Sequence, residues 1–230
     1  MDGLKLTNVS YGVDGTRLLR DISFAQSSKG INAILGPNGA GKSLLLSLIH
    51  GVIKPDMGTV TWHAIPAHKT KLTRSFVFQT PIVLRRSVRA NLAYPLRING
   101  QNSEDAIDAM LELSQLTPLA DQPAASLSGG EAQRMAIARA LITQPEVLLL
   151  DEPCSNLDPA STKLIETMIQ NFVANGHSVF ISSHDLAQAK RLADAVLFIN
   201  AGQLLEHSPA GSFFDAPKTT EAKAYLSGDL

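Results

Sequence analysis

Eight residues set between an apolar run and an apolar helix constrain this chain more than any others. Gly36-Pro37-Asn38-Gly39-Ala40-Gly41-Lys42-Ser43 follows Ile31 to Leu35, which reads as a buried strand, and opens a helix from about Lys42 to His50 that Gly51 is placed to stop. The pattern G-x-x-x-x-G-K-[ST] in that context is a phosphate loop. Its glycines let backbone N–H groups converge on phosphate oxygens with no Cβ in the way. The helix behind it points its positive end at the same anion. Lys42 is then placed for β- and γ-phosphates, and the Ser43 hydroxyl for Mg²⁺.

The flanking pattern sets the fold class. The opening 60 residues alternate short apolar stretches with turn residues, as in Leu4 to Val9 and Asp21 to Phe24, and Gly58 to Trp62 and Ser75 to Phe78 read as further strands. From Ser87 to about Thr143 helical spacing takes over, with Ala106, Ile107, Met110, Leu111 and Leu113 at i, i+3, i+4. Strands return at Val147 to Leu150, Ser178 to Ser182 and Ala195 to Ile199, separated by helices from about Ala160 to Asn175 and Asp185 to Ala193. Strands alternating with helices predict a largely parallel sheet covered on both faces. The helical stretch, roughly 86–145, is then an inserted lobe of a core formed by about 1–85 and 146–230, within a single domain.

A chain of 230 residues with 44% hydrophobic and 18% charged residues suits such a fold, and a net charge of −1 gives no global attraction for nucleic acid or anionic lipid. The single cysteine, Cys154, rules out an internal disulfide and fits a reducing compartment. No apolar run approaches the roughly 18–20 residues a membrane helix needs. The opening MDGLKLTNVS lacks the layout of a signal peptide, so a cytoplasmic location is expected.

Three further segments carry chemistry. Asp151 and Glu152 close an apolar strand, where carboxylates of an α/β sheet face the ligand crevice. His184 follows Phe180-Ile181-Ser182-Ser183, a second strand end in the same crevice, where an imidazole can bond a phosphate oxygen or a water beside a carboxylate. Leu127-Ser128-Gly129-Gly130-Glu131 opens a helix, with Ser128 as cap and Glu131 completing a capping box. The other histidines (His50, His63, His68, His177, His207) have no metal-ligand spacing and read as surface or loop residues.

In order, GPNGAGKS, LSGGEAQR, VLLLDEP and Ser183-His184 resemble the ATP-binding cassette (ABC) family, and the resemblance runs from Tyr11 to near Leu205. It implies an α/β phosphate-loop NTPase core with a mostly parallel sheet, an N-terminal antiparallel β portion and the inserted helical subdomain. It further implies an ATPase using ATP and Mg²⁺ as a head-to-tail homodimer. On that reading Ser43, Gln79 and Asp151 attend the metal, Glu152 is the base or water-positioning group, and His184 is the switch histidine. Ser128, Gly129 and Gly130 face the γ-phosphate held by the opposite subunit, and Ser155-Asn156-Leu157-Asp158 resembles the D-loop between the two sites. Tyr11 matches the aromatic that stacks on adenine. Glu131 stands where many members have Gln, and Cys154 where Thr, Phe or Ser is usual, the latter reading as a small buried residue.

Gln79 to Leu92 is the segment such a resemblance directs to a membrane partner. Its pattern Q-x-P-x-x-L-R-R-S-V-x-x-N is similar to the tungstate and molybdate importers, with Arg85, Arg86 and Arg89 as partner contacts or as a solvated basic face. The expected setting is the cytoplasmic face of the membrane, with transmembrane permease subunits, a separate solute-binding protein and no nucleic acid. The rival readings are an exporter cassette, a soluble ABC ATPase acting on ribosomes or DNA, and a non-catalytic nucleotide-binding regulator.

Overall fold

Alternation in the first strands becomes a hairpin. The computed structural model describes residues 3–26, 29–70 and 73–229. β1 (Leu4–Val13) pairs antiparallel with β2 (Thr16–Gln26), burying Leu4, Leu6 and Val9 while Lys5 and Thr7 face outward. β3 (Gly30–Leu35) is buried at every position, and the phosphate loop joins it to α1 (Lys42–His50), which ends at Gly51 in the left-handed region. β4 (Met57–Trp62) and β5 (Ile65–Pro66) complete an antiparallel sheet of order β2-β1-β4-β5. Trp62 Nε1 donates to the Ile49 carbonyl at 2.8 Å, pinning this sheet to the end of α1.

The second sheet begins with β6 (Arg74–Val77). Phe78, expected to continue this strand, leaves the sheet: the β6–β7 ladder ends at Val77 opposite Leu150, while β7 runs on to Asp151 paired with Ser182 of β8. Next come α2 (Val88–Ile98), α3 (Glu104–Leu113) and α4 (Gly129–Leu141), which pack on one another, with Ile107 and Leu111 as the buried face of α3. β7 (Val147–Asp151), α5 (Pro159–Ala174), β8 (Ser178–Ser182), α6 (Leu186–Leu192), β9 (Ala195–Asn200) and β10 (Gln203–Pro209) follow, then α7 (Ala210–Asp215) and α8 (Thr220–Ser227). His207, expected in a loop, lies in β10 edge-on to Phe24 at 5.5 Å.

The sheet order is β10-β9-β3-β8-β7-β6, parallel throughout except for the β9–β10 hairpin. Side chains alternate across a strand, so each central strand feeds two cores. Leu148, Leu150, Val179, Ile181, Val196 and Phe198 join the helices α2–α6 on one face. Val147, Leu149, Phe180, Leu197 and Ile199 meet α1 and the antiparallel sheet on the other. The fold is therefore α/β, with a mostly parallel sheet covered on both sides.

Candidate functional site

Parallel strands all end on the same edge. β3, β8, β7 and β6 are neighbours in that order, so whatever follows each of them meets at one rim. The phosphate loop follows β3, His184 follows β8, Asp151 ends β7 with Glu152 next after it, and Gln79 lies just past β6. Topology alone brings four segments, far apart in sequence, into one crevice.

The loop is held by its glycines. A Cβ on Gly36 would run into the Ile199 carbonyl oxygen, and Gly41 takes φ 103° at the start of α1 with the Leu19 side chain against it. Ala40 is buried, its N–H donating to Pro37 O at 3.2 Å, while Asn38 and Gly39 are exposed at the tip. Lys42 Nζ donates to the carbonyls of Gly36 at 2.9 Å and Pro37 at 3.1 Å and lies 3.9 Å from Glu152 Oε1. Burial lowers the Lys42 pKa, and the nearby Glu152 and Asp151 carboxylates oppose that shift.

Asp151 and Glu152 are adjacent but differently placed. Asp151 is buried, and its Oδ1 accepts from Ser43 Oγ at 2.9 Å and Ser182 Oγ at 2.7 Å. Glu152 sits at φ 44°, a region costly for a side chain with a Cβ, and this turn swings it out of the strand. Ser182 holds the turn: the Glu152 N–H donates to its hydroxyl at 2.9 Å and its carbonyl at 3.2 Å. Glu152 Oε2 then accepts from Gln79 Nε2 at 3.3 Å and lies 3.0 Å from His184 Nδ1. An ionised carboxylate can only accept, so a neutral His184 carries its proton on Nδ1 and offers Nε2 as an acceptor.

Sequence reasoning singled out every member of this cluster except Ser182. The available signal was its place two residues before His184; its role needs the register, in which Asp151 pairs with Ser182. The cluster also fits a hard cation: Ser43 and Asp151 bring oxygen donors together beside the loop, and Gln79 bonds the neighbouring Glu152 through its amide nitrogen.

The remaining expected residues lie in other groupings. Ser128 caps α4 in a capping box, its N–H donating to Glu131 Oε2 at 2.8 Å and its Oγ to the same oxygen at 2.7 Å. Those bonds hold the Glu131 carboxyl below its usual range. Asp158 caps α5, and its Oδ1 accepts from Ala160 N and Ser161 N, each at 2.9 Å. Gly130 and Asp158 come together, since a Cβ on Gly130 would lie 2.5 Å from Ser161 Oγ and 3.6 Å from Asp158 Oδ2. Gly129 is open, with no atom of the described residues within 4 Å of where a Cβ would stand. Tyr11 is half-buried on β1, beside a shallow pocket with Gly12, Thr16, Arg17, Asp56 and Met57. Its pairing partner Leu19 is the residue packed on Gly41, so Tyr11 is one contact from the loop.

Beside Gln79 runs an apolar groove lined by Phe78, Pro81, Ile82, Leu84, Tyr94 and Ile98, of which Phe78, Ile82, Tyr94 and Ile98 are exposed. Arg139 closes one side, donating to Ile82 O at 2.6 Å and Asn91 Oδ1 at 3.1 Å, and Arg86 covers the Tyr94 ring at 5.5 Å.

The ABC transporter family profile matches residues 19–155. The chain is 35% identical to the phosphate import ATP-binding protein PstB 2 of Natronomonas pharaonis, over 99% of this chain and 87% of that protein. It is also 35% identical to the tungstate uptake system ATP-binding protein TupC of Peptoclostridium acidaminophilum, over 92% of this chain and 99% of that one. Among solved structures, cbiO1 from Clostridium perfringens, part of the ABC transporter complex cbiONQ, superposes with a TM-score of 0.82 at 29% identity, covering 98% of this chain and 96% of that one.

Proposed function

The chain belongs to the ABC transporter family, and from that premise we propose that it is the ATP-hydrolysing subunit of an importer for a small oxyanion. The observation that carries the reading is Glu152, turned out of its strand to stand between Lys42, Gln79 and His184. Such a carboxylate can orient and deprotonate a water for attack on a terminal phosphate. Lys42 and the loop N–H groups balance the phosphate charge, and Gln79 and His184 hold the carboxylate in place. Ser43, Asp151 and Gln79 would hold Mg²⁺, which would supply positive charge to offset the charge developing on the phosphate. Tyr11 stacks on the adenine.

Ser128, Gly129 and Gly130 serve the site of a second chain in a head-to-tail pair, with Asp158 beside them on the same face. The core is formed by about 1–85 and 146–230 and the helical lobe by about 86–145. The apolar groove beside Gln79, edged by Arg86 and Arg139, receives a helix of a membrane-spanning permease subunit. Among the described residues no helix is long and apolar enough to cross a membrane, so attachment to the cytoplasmic face runs through that partner. Relatives named for phosphate import and for tungstate uptake support an oxyanion cargo, delivered by a separate solute-binding protein, with phosphate and tungstate or molybdate as the candidates.

The test uses Glu152→Gln protein loaded with ATP-Mg²⁺, captured from native membranes and analysed by mass spectrometry. A multi-span membrane protein that is lost when Lys42→Ala is added supports the reading. Recovery of only ribosomal or DNA-bound material contradicts it. Uptake of labelled phosphate, tungstate and molybdate by cells lacking the gene then identifies the cargo.

A further inference from the structure

His184 is braced from behind by a chain of polar groups that starts on α5 and is buried at Glu166, Gln188 and Ser183. Glu166, 8% exposed, has both carboxylate oxygens occupied. Arg191 donates through Nε to Oε2 at 3.1 Å and through Nη2 to Oε1. Gln188, 2% exposed, donates through Nε2 to Oε1 at 3.2 Å. The other end of the Gln188 amide accepts from Ser183 Oγ at 3.1 Å, and Ser183 Oγ accepts the Asp185 N–H at 3.0 Å. The Gln188 N–H closes the loop by donating to Asp185 Oδ1 at 3.0 Å. His184 lies between Ser183 and Asp185, so both of its backbone flanks are tied to this chain.

Every direction in the chain is forced. A carboxylate only accepts, so Gln188 must turn its NH₂ toward Glu166. Its carbonyl oxygen then faces Ser183, whose hydroxyl must donate to it and is left accepting from Asp185. A carboxylate at position 188 would face that of Glu166 at the present 3.2 Å spacing, and an apolar residue would take one donor from Glu166 and the Gln188 acceptor from Ser183. The bracing helix also reaches the grouping around Gly130: α5 starts at the Asp158 cap, and its Ser161 accepts from Arg134 of α4 at 3.0 Å.

We propose that Glu166 and Gln188 are positioning residues for His184, fixing the loop that presents its imidazole to Glu152. The proposal rests on the reading of His184 as part of the hydrolytic site. Its test compares steady-state ATP hydrolysis by the purified full chain in wild type, Gln188→Glu, the exchange Glu166→Gln/Gln188→Glu, and His184→Ala, with hydrogen exchange of the Asp185 amide alongside. The expected result is a fall in kcat of about tenfold or more in Gln188→Glu, with KM for ATP within about twofold, since a misplaced group slows chemistry without disturbing the phosphate loop. The exchange again sets an amide against a carboxylate but turns an NH₂ toward Arg191, so it should raise kcat severalfold over Gln188→Glu and restore Asp185 protection in part. Wild-type kcat in Gln188→Glu, or an exchange variant no faster than a folded Gln188→Glu, overturns the proposal. Should Gln188→Glu not fold, the exchange variant alone decides, a folded and active chain with Asp185 protected supporting the proposal and a loss with Asp185 unprotected overturning it. Wild-type kcat in His184→Ala removes the premise itself, an outcome separate from failure of the bracing.

Discussion

Glu152 Oε2 and His184 Nδ1 lie 3.0 Å apart across the ends of two adjacent parallel strands, and each is fixed from its own side. Ser182 holds the Glu152 backbone in its left-handed turn, while Ser183 holds the backbone next to His184. The reach between carboxylate and imidazole is therefore set by two consecutive serines of β8 and the turn that follows it, rather than by the two side chains alone. On the proposed reading this pairing sets the proton position on His184 and the aim of the carboxylate, and most of the expected behaviour follows from it.

Ser182→Ala removes a donor to Asp151 and one of two acceptors for the Glu152 N–H, leaving the Ser182 carbonyl as the other. Loss of one hydrogen bond to a charged group is worth about 1.5–3 kcal/mol, so kcat should fall by about tenfold or more with the fold intact. Steady-state phosphate release together with a thermal melt checks both halves.

Lys42→Ala should act on binding. Deleting an ammonium that bonds charged phosphate oxygens costs about 1.5–3 kcal/mol, or about ten- to a hundredfold in Kd for ATP. Isothermal titration calorimetry reads this directly, and an unchanged Kd would remove Lys42 from the site.

Ser128→Ala separates capping from catalysis. Loss of the α4 cap should cost about 1 kcal/mol in stability, seen as a lower denaturation midpoint. ATP affinity of the isolated chain should stay put, because among the described residues Ser128 bonds within its own helix start. Hydrolysis in the paired state should fall.

Cys154 should be an unreactive thiol. Burial pushes its pKa up to about 11. At pH 8 its thiolate fraction, and so its alkylation by iodoacetamide, should be about a hundredfold below that of the unfolded chain. The folded state holds this proton more tightly than the unfolded one. The stability it contributes is therefore complete below the ordinary thiol pKa and is withdrawn as pH rises toward 11. Stopped-flow alkylation and denaturation curves across that range test the two statements.

The parts of this molecule that local pattern controls were readable in advance. Helix α1 runs from Lys42 to His50 and strand β8 from Ser178 to Ser182 as expected, since glycine turns and caps fix their ends. Features that depend on pairing between distant segments were not. Ser182 looks like an ordinary strand residue until the register sets it beside Asp151. Phe78 continues an apolar run, yet the β6–β7 ladder stops one residue before it and it lines the groove. Nor does anything local mark the positive φ of Glu152, which no glycine announces.

The proposed mechanism turns on Glu152 driving hydrolysis in a site completed by a second chain. Phosphate release from ATP-Mg²⁺ probes it most closely, measured for wild type and Glu152→Gln across protein concentrations that span association, with bound ATP followed in parallel. The wild-type rate per chain should rise with concentration, and the Glu152→Gln rate should be at least about a hundredfold lower while ATP stays bound. Equal release by the two proteins, or a rate per chain independent of concentration, would contradict it.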